Sequence, residues 1–212
     1  MSHISQKDLL IIFAKSPRAV HVKTRLAQLF SKKQRAQLQE AFILETLLLT
    51  ASIHTVARVI ACTPDTKDRF FAACEREHSI SLIAQEGDDL GDRMKRGFCW
   101  GFLKGFQRVV IIGSDAPTLP ASFIQEAFNQ LKTIPIVLGP ALDGGYYLIG
   151  ARMPLPDIFT NIKWGTNTVF KDTVARLKQF YLLPFWYDVD YPEDVTFLQK
   201  HIDLIAKRRL RV

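Results

Sequence analysis

The sequence predicts an α/β protein built on a mostly parallel sheet. Apolar runs of strand length alternate with helical segments along the chain. The runs Leu9–Ala14 and Val109-Val110-Ile111-Ile112 are continuous, as in strands buried on both faces. Gly and Pro punctuate the ends of such runs, as at Gly113 and Pro117.

The first strand is Leu9–Ala14. A helix is expected from Lys32 to about Ser52, with Leu38, Phe42, Leu49 and Ile53 on one stripe and Lys32, Lys33, Arg35 and Gln39 off it. Val56–Cys62 reads as strand, Thr66–Glu77 as helix, Ile80–Ala84 as a short strand and Asp88 to Lys104 as helix. Arg108–Gly113 is strand and Pro120–Lys132 helix, with Pro120 suited to the first turn. Ile136–Gly139 and Tyr146–Gly150 are strands joined through Asp143-Gly144-Gly145, a short turn that predicts local antiparallel pairing. Thr166–Lys178 is helix, Tyr181–Tyr187 strand and Pro192–Ala206 the closing helix. No repeat or linker interrupts this order, so one domain is expected over residues 1–212, ending in a solvated basic tail at 207–212.

Composition narrows the function. With 48% hydrophobic and 23% charged residues the chain is an ordinary globular protein. Its formal charge of +7 points to an anionic partner. Cys62, Cys74 and Cys99 form no CxxC pair and have no His at zinc spacing, which argues for reduced thiols and a cytoplasmic location. Leu9–Ala14 is too short for a signal-peptide core, and Ala41–Ala51, broken by Glu45, is too short for a transmembrane span. Nucleic-acid binding is not expected, because the basic residues gather in one loop and the tail without stacking aromatics. His3, His21, His54, His78 and His201 are scattered, and no GxSxG, P-loop or GxGxxG motif occurs.

Four segments carry candidate chemistry. Asp115 follows the strand ending at Gly113 and so lies at the carboxyl edge of the sheet, where open α/β folds bind ligands. There it can hold a divalent cation against phosphates, or form an Asx turn or a helix cap. The loop after the first strand holds Lys15, Arg18, Lys23 and Arg25 at the same edge, suited to diphosphate. In Gly87–Met94, Asp88 or Asp89 suits a helix N-cap, while Gly91 and Arg93 suit the wall of a nucleobase or ribose pocket. Asp143-Gly144-Gly145-Tyr146 reads either as a hairpin turn or as a turn that positions a sugar or acceptor. Asp188 and Asp190 alternate after the last strand and point the same way, so either can complete a metal site with Asp115. Glu193 and Asp194 read as first-turn helix residues.

Four ordered motifs carry a resemblance over nearly the whole chain: Phe13-Ala14-Lys15-Ser16-Pro17 with Val22-Lys23-Thr24-Arg25-Leu26, then Gly113-Ser114-Asp115-Ala116-Pro117, then Gly139-Pro140-Ala141-Leu142-Asp143-Gly144-Gly145-Tyr146-Tyr147, then Asp188-Val189-Asp190-Tyr191-Pro192-Glu193-Asp194. They resemble a bacterial GT-A glycosyltransferase-like family of the nucleotide-diphospho-sugar transferase superfamily. Some of its members are associated with arsenosugar biosynthesis. Phospholactate and molybdenum-cofactor guanylyltransferases are distantly similar. The resemblance implies a GT-A-type three-layer fold, nucleotide over the first loop and a metal, Mg²⁺ or Mn²⁺, at Asp115. One departure stands out. The family has Pro-Gly where this chain has Ala19-Val20, and a glycine needed for positive φ there would leave Val20 strained.

The expected function is a metal-dependent transferase acting on a nucleotide-sugar and a small-molecule acceptor, with Asp115 and Asp143 as the catalytic candidates. One alternative is a nucleotidyltransferase that joins an NTP to a phosphorylated acceptor and releases pyrophosphate. Another is a catalytically silent nucleotide-binding module.

Overall fold

The computed structural model describes residues 7–155 and 157–209. Seven strands form one sheet: β1 (Asp8–Lys15), β2 (Ala57–Thr63), β3 (Ser81–Ala84), β4 (Arg108–Gly113), β5 (Ile136–Pro140), β6 (Tyr146–Ala151) and β7 (Tyr181–Leu182). Their order across the sheet is β3-β2-β1-β4-β6-β5-β7. All neighbours pair in parallel except β6, which runs antiparallel to both β4 and β5. The antiparallel pairing expected from Asp143-Gly144-Gly145 is therefore present, and it extends to β4.

The helices are α1 (Lys32–Ala51), α2 (Arg69–His78), α3 (Leu90–Leu103), α4 (Ala121–Gln130), α5 (Val169–Val174) and α6 (Pro192–Arg209). Alternation along β1 divides the core between them. Leu10 and Ile12 face α1, α2 and α4, packing with Ile43, Leu47, Phe71 and Ile124. Leu9 and Ile11 face the other layer, with Met94 and Phe98 of α3. Both faces of the sheet are covered, so its central strands read as unbroken apolar runs.

Several helices start on local signals. Ser31 and Gln34 form a capping box at α1. Asp68 caps α2 and Asp89 caps α3, its side chain accepting from Asp92 N at 2.8 Å. Pro120 stands at the N-cap of α4, one position before the expected first turn.

Three expectations are corrected. The buried stripe of α1 runs through Gln39, Phe42, Ile43, Thr46, Leu47 and Thr50, so Gln39 lies on it and not off it. α5 is six residues long, much shorter than Thr166–Lys178. Ahead of it, the Thr166 hydroxyl donates to Lys163 O and the Thr168 hydroxyl to Asp172, local bonds that compete with helix. The last strand is paired only over Tyr181–Leu182, with an isolated bridge between Ala141 and Trp186. Leu183 N bonds to Leu138 O and Trp186 N to Pro140 O, so three residues on the outer segment span two on β5. The extra residue falls at Pro184-Phe185, where proline has no N–H to donate.

The expected basic tail is helical through Arg209, while residues 210–212 and His3 lie outside the described residues. Among the described residues, no helix is long and apolar enough to cross a membrane.

Candidate functional site

Register places the candidate residues at one edge. Lys15 pairs with Thr63 and Phe13 with Gly113, so β1, β2 and β4 end together. The loop after β1 and Asp115 after β4 both leave from there. The β5–β6 turn opens at the same edge, because β6 runs the opposite way. The chain returns past it after β7, with Val189 N bonded to Asp115 O at 2.9 Å.

A cavity of about 470 Å³ lies over these ends, lined among others by Lys15, Lys23, Arg25, Gln85, Asp115 and Asp190. A second, of about 670 Å³, adjoins it and shares Arg25, Leu90 and Asp190. Its wall holds Asp143, Tyr146, Trp164, Asp188 and Glu193. Both volumes suit small-molecule sites, which span about 300–1,000 Å³.

Lys23 lines the first cavity from a buried position. Its side chain is 3% exposed, and its Nζ stands 2.7 Å from Asp115 Oδ1 and 3.1 Å from Asp190 Oδ1. The same ammonium donates to Val189 O at 2.7 Å and sits 5.3 Å from the Phe42 ring centroid. Burial alone pulls this ammonium down; Asp115 and Asp190 outweigh it, and the net shift is upward. Arg25 pairs with Asp190 Oδ2 at 3.1 Å and stacks over Tyr191 at 4.9 Å. Lys15 donates to His21 O and lines the cavity. Arg18 is exposed and does not line it, so the structure brings together three of the four expected cations.

The carboxylates form a second constellation. Burial, then the charges of Asp115, Asp143 and Asp190, push Asp188 up to about 8, with Lys23 acting in the opposite direction. Carboxylates are the oxygen donors that Mg²⁺ and Mn²⁺ take, and Asp115, Asp188 and Asp190 line the two adjoining cavities. On that observation the residues fit a divalent ion. Among the described residues no three such side chains stand grouped as a complete ligand set. Magnesium sites need no such set, because one or two carboxylates and substrate phosphates suffice.

Asp143 makes the turn as the hairpin reading expected, its Oδ1 accepting from Gly145 N at 2.9 Å. It is exposed, and it also lines the second cavity. Gly144 has φ +89°, and a Cβ there would lie 2.2 Å from Asn167 O. Its smallness therefore serves the approach of the α5 loop, which is fastened by Phe170 N donating to Gly144 O at 2.8 Å. Gly145 and Tyr146 line the second cavity. Burial raises the Tyr146 hydroxyl above its ordinary range, and its ring meets Trp164 edge-on.

Two expected nucleotide contacts fall elsewhere. Gly91 is buried beneath Trp164 and Phe159, and a Cβ would come within 2.6 Å of the indole, so packing demands the glycine. Arg93 donates from Nε to Gly87 O and lines a separate pocket between β3 and α3. Val20 is 73% exposed and does not take positive φ; the left-handed residue of the loop is Lys23, at φ 44° and ψ 45°.

Sequence reasoning missed Gln39 and Gln85. Gln39 is buried, faces Ser114 Oγ at 3.4 Å and lines the first cavity. Its signal was a polar residue at helical spacing from Phe42 and Ile43. Gln85 Nε2 bonds to Ala61 O at 2.7 Å and reaches Ala14 O, which ties β1 to β2 at the cavity floor.

Comparison with known proteins agrees with this architecture. The model of a bacterial family, described as an uncharacterized protein conserved in bacteria (DUF2064), matches residues 46–166. A 3-phospho-D-glycerate guanylyltransferase of Phenylobacterium zucineum (strain HLK1) is 32% identical over 138 residues, 63% of this chain. The chain spans 62% of that relative's length. A crystal structure from Desulfovibrio desulfuricans G20, described as a nucleotide-diphospho-sugar transferase, is 34% identical with a TM-score of 0.81, covering 88% of this chain and 83% of that one. Glucosyl-3-phosphoglycerate synthase of Mycobacterium tuberculosis, solved with Mn²⁺, UDP and glucosyl-3-phosphoglycerate, shares the fold at 12% identity and TM-score 0.56, covering 91% of this chain and 75% of that one. The fold is that of the nucleotide-diphospho-sugar transferases.

Proposed function

The chain belongs to the DUF2064 family, and we propose that it is a transferase using a nucleotide-sugar donor with a divalent metal. The observation that carries this reading is the polarised double cavity. Its first half presents Lys15, Lys23 and Arg25, which suit the donor's diphosphate. Its second half presents Asp143, Asp188, Glu193 and aromatic rings, with Arg25 as its cation, which suits hydroxyl groups better than a phosphorylated acid.

In this reading Lys15, Lys23 and Arg25 bind and orient the diphosphate. Arg18, exposed beside the cavity, adds a longer-range charge. Asp115 with Asp188 or Asp190 holds Mg²⁺ or Mn²⁺. When bound, the ion neutralises charge that develops on the leaving phosphate. Asp143 and Tyr146 line the place where sugar and acceptor meet.

A second reading has one specific support. The guanylyltransferase relative favours nucleotidyl transfer from an NTP to a phosphorylated acceptor. The two differ in what leaves.

A thermal-shift screen of nucleotide-sugars and NTPs, with and without Mn²⁺, identifies the donor by mass action. The expected result is a metal-dependent rise that Asp115→Ala abolishes. Product analysis then separates the readings: nucleoside diphosphate for glycosyl transfer, pyrophosphate for nucleotidyl transfer. No shift with any nucleotide would overturn both readings and leave a module without an intact donor site.

A further inference from the structure

We infer that Lys23 is the resident cation of the Asp115–Asp190 pair, and that a divalent ion reaches that pair only by displacing it. This rests on the metal and nucleotide site proposed above and adds to it an order of events within the site.

The ammonium is held as a bound ion would be. Three oxygens surround it: Asp115 Oδ1 at 2.7 Å, Val189 O at 2.7 Å and Asp190 Oδ1 at 3.1 Å. The Phe42 ring lies near it at 5.3 Å, and 3% of the side chain is exposed. These oxygens come from two parts of the chain: Asp115 just after β4, and the successive residues Val189 and Asp190 after β7. The backbone of Lys23 is left-handed, a conformation that a lysine adopts only when its surroundings require it.

A divalent ion held by Asp115 and Asp190 would draw on carboxylate oxygens that the ammonium now engages. Lysine and metal carry charge of the same sign in a shielded place, so they exclude one another there. Lys23 also lines the cavity that the donor phosphates are proposed to enter. A phosphate entering there offers the ammonium another anionic partner, and the pair of aspartates is then free for the metal. Metal and nucleotide therefore bind as coupled ligands, and each raises the affinity of the other by the same factor. The free protein binds metal weakly.

The test measures Mn²⁺ binding by electron paramagnetic resonance, which needs no turnover. Wild-type protein is titrated alone and in the presence of whichever nucleotide gives the largest shift in the thermal screen, beside Lys23→Met and, as a control for loss of one nearby charge, Lys15→Met. Lys23→Met is expected to bind Mn²⁺ alone at least tenfold more tightly than wild type, with Lys15→Met changing by less than threefold. Equal or weaker Mn²⁺ binding by Lys23→Met would overturn the inference, as would an equal gain in Lys15→Met.

A second measurement uses the unmodified chain and covers the case in which Lys23→Met does not fold. Amine labelling read by mass spectrometry is expected to spare Lys23 in the free protein and to reach it once Mn²⁺ is added. Unchanged protection with metal bound would contradict displacement. If wild type binds Mn²⁺ with nucleotide present but these differences are missing, the inference fails and the proposed site stands. If Mn²⁺ binds under no condition, the metal reading itself fails.

Discussion

Gly144→Ala separates two costs that a turn glycine can hide. Gly144 has φ +89°, and the new methyl would lie 2.2 Å from Asn167 O. Placing an L-residue in the left-handed region costs about 1–2 kcal/mol. The overlap is a separate term. A carbon and a carbonyl oxygen rest at about 3.3 Å or more, so the oxygen must retreat by about 1 Å. It belongs to the main chain just ahead of α5 and cannot rotate away, and the bond from Phe170 N to Gly144 O fastens the two segments together. Overpacking of this kind costs about 1–3 kcal/mol, for a total of about 2–5 kcal/mol. Gly105 supplies the control. It too has φ +89°, but nothing lies within 4 Å of its added methyl, so Gly105→Ala carries only the conformational term. Equilibrium urea unfolding followed by circular dichroism reads both. Gly144→Ala should lose about 1–3 kcal/mol more than Gly105→Ala, or about 2–12 °C more in Tm for a chain of this length. Equal losses would refute the account, because the approach of Asn167 would then cost nothing.

Three further outcomes follow from named contacts. Asp89→Ala removes the cap of α3 and should cost about 1 kcal/mol in urea unfolding, with no change in the folded far-ultraviolet spectrum. In a native thiol titration at pH 8, exposed Cys99 should react alone; burial pushes the Cys62 and Cys74 thiols up to about 12 and about 11, so less thiolate is present at any pH below those values, and both should appear only on denaturation. Arg25→Ala should weaken nucleotide binding by about 10–100-fold in calorimetry, the range of a lost hydrogen bond to a charged group. Its Tm should change little, because the Arg25 pair with Asp190 is largely solvated.

The fold was legible where one physical requirement dominated. Strand β4 was read at its exact bounds, since a strand covered on both faces must be apolar throughout. Elements were misread where side chains offered the backbone something else. Thr166 and Thr168 engage local acceptors and delay α5. Pro184 cannot donate, so the last strand bulges away from β5 after two residues. On α1 the apolar count favoured Leu38 and Leu49, yet the helix turns Gln39 inward, where the amide meets Ser114 and the cavity. Periodicity weighs apolar residues and has no term for a buried amide with a partner on another strand.

The site was legible in composition and not in pairing. Sequence places Lys23, Asp115 and Asp190 at one sheet edge, because each follows a strand that ends there. It assigns the lysine to phosphate and the aspartates to metal, since each type is read against an external ligand. The three side chains in fact satisfy one another, Lys23 pairing both with Asp115 and with Asp190, the latter 167 residues away along the chain. A buried charge must find a partner, and in the free protein the nearest partner is internal. Gly91 shows the converse. Its place in a turn leading into a helix suggested the wall of a nucleobase or ribose pocket, whereas the ring of Trp164 needs the missing side chain. Sequence therefore shows which groups reach the edge. Whether they face a ligand or each other is decided by burial, and at Lys23 that choice sets how the site must open before it can be filled.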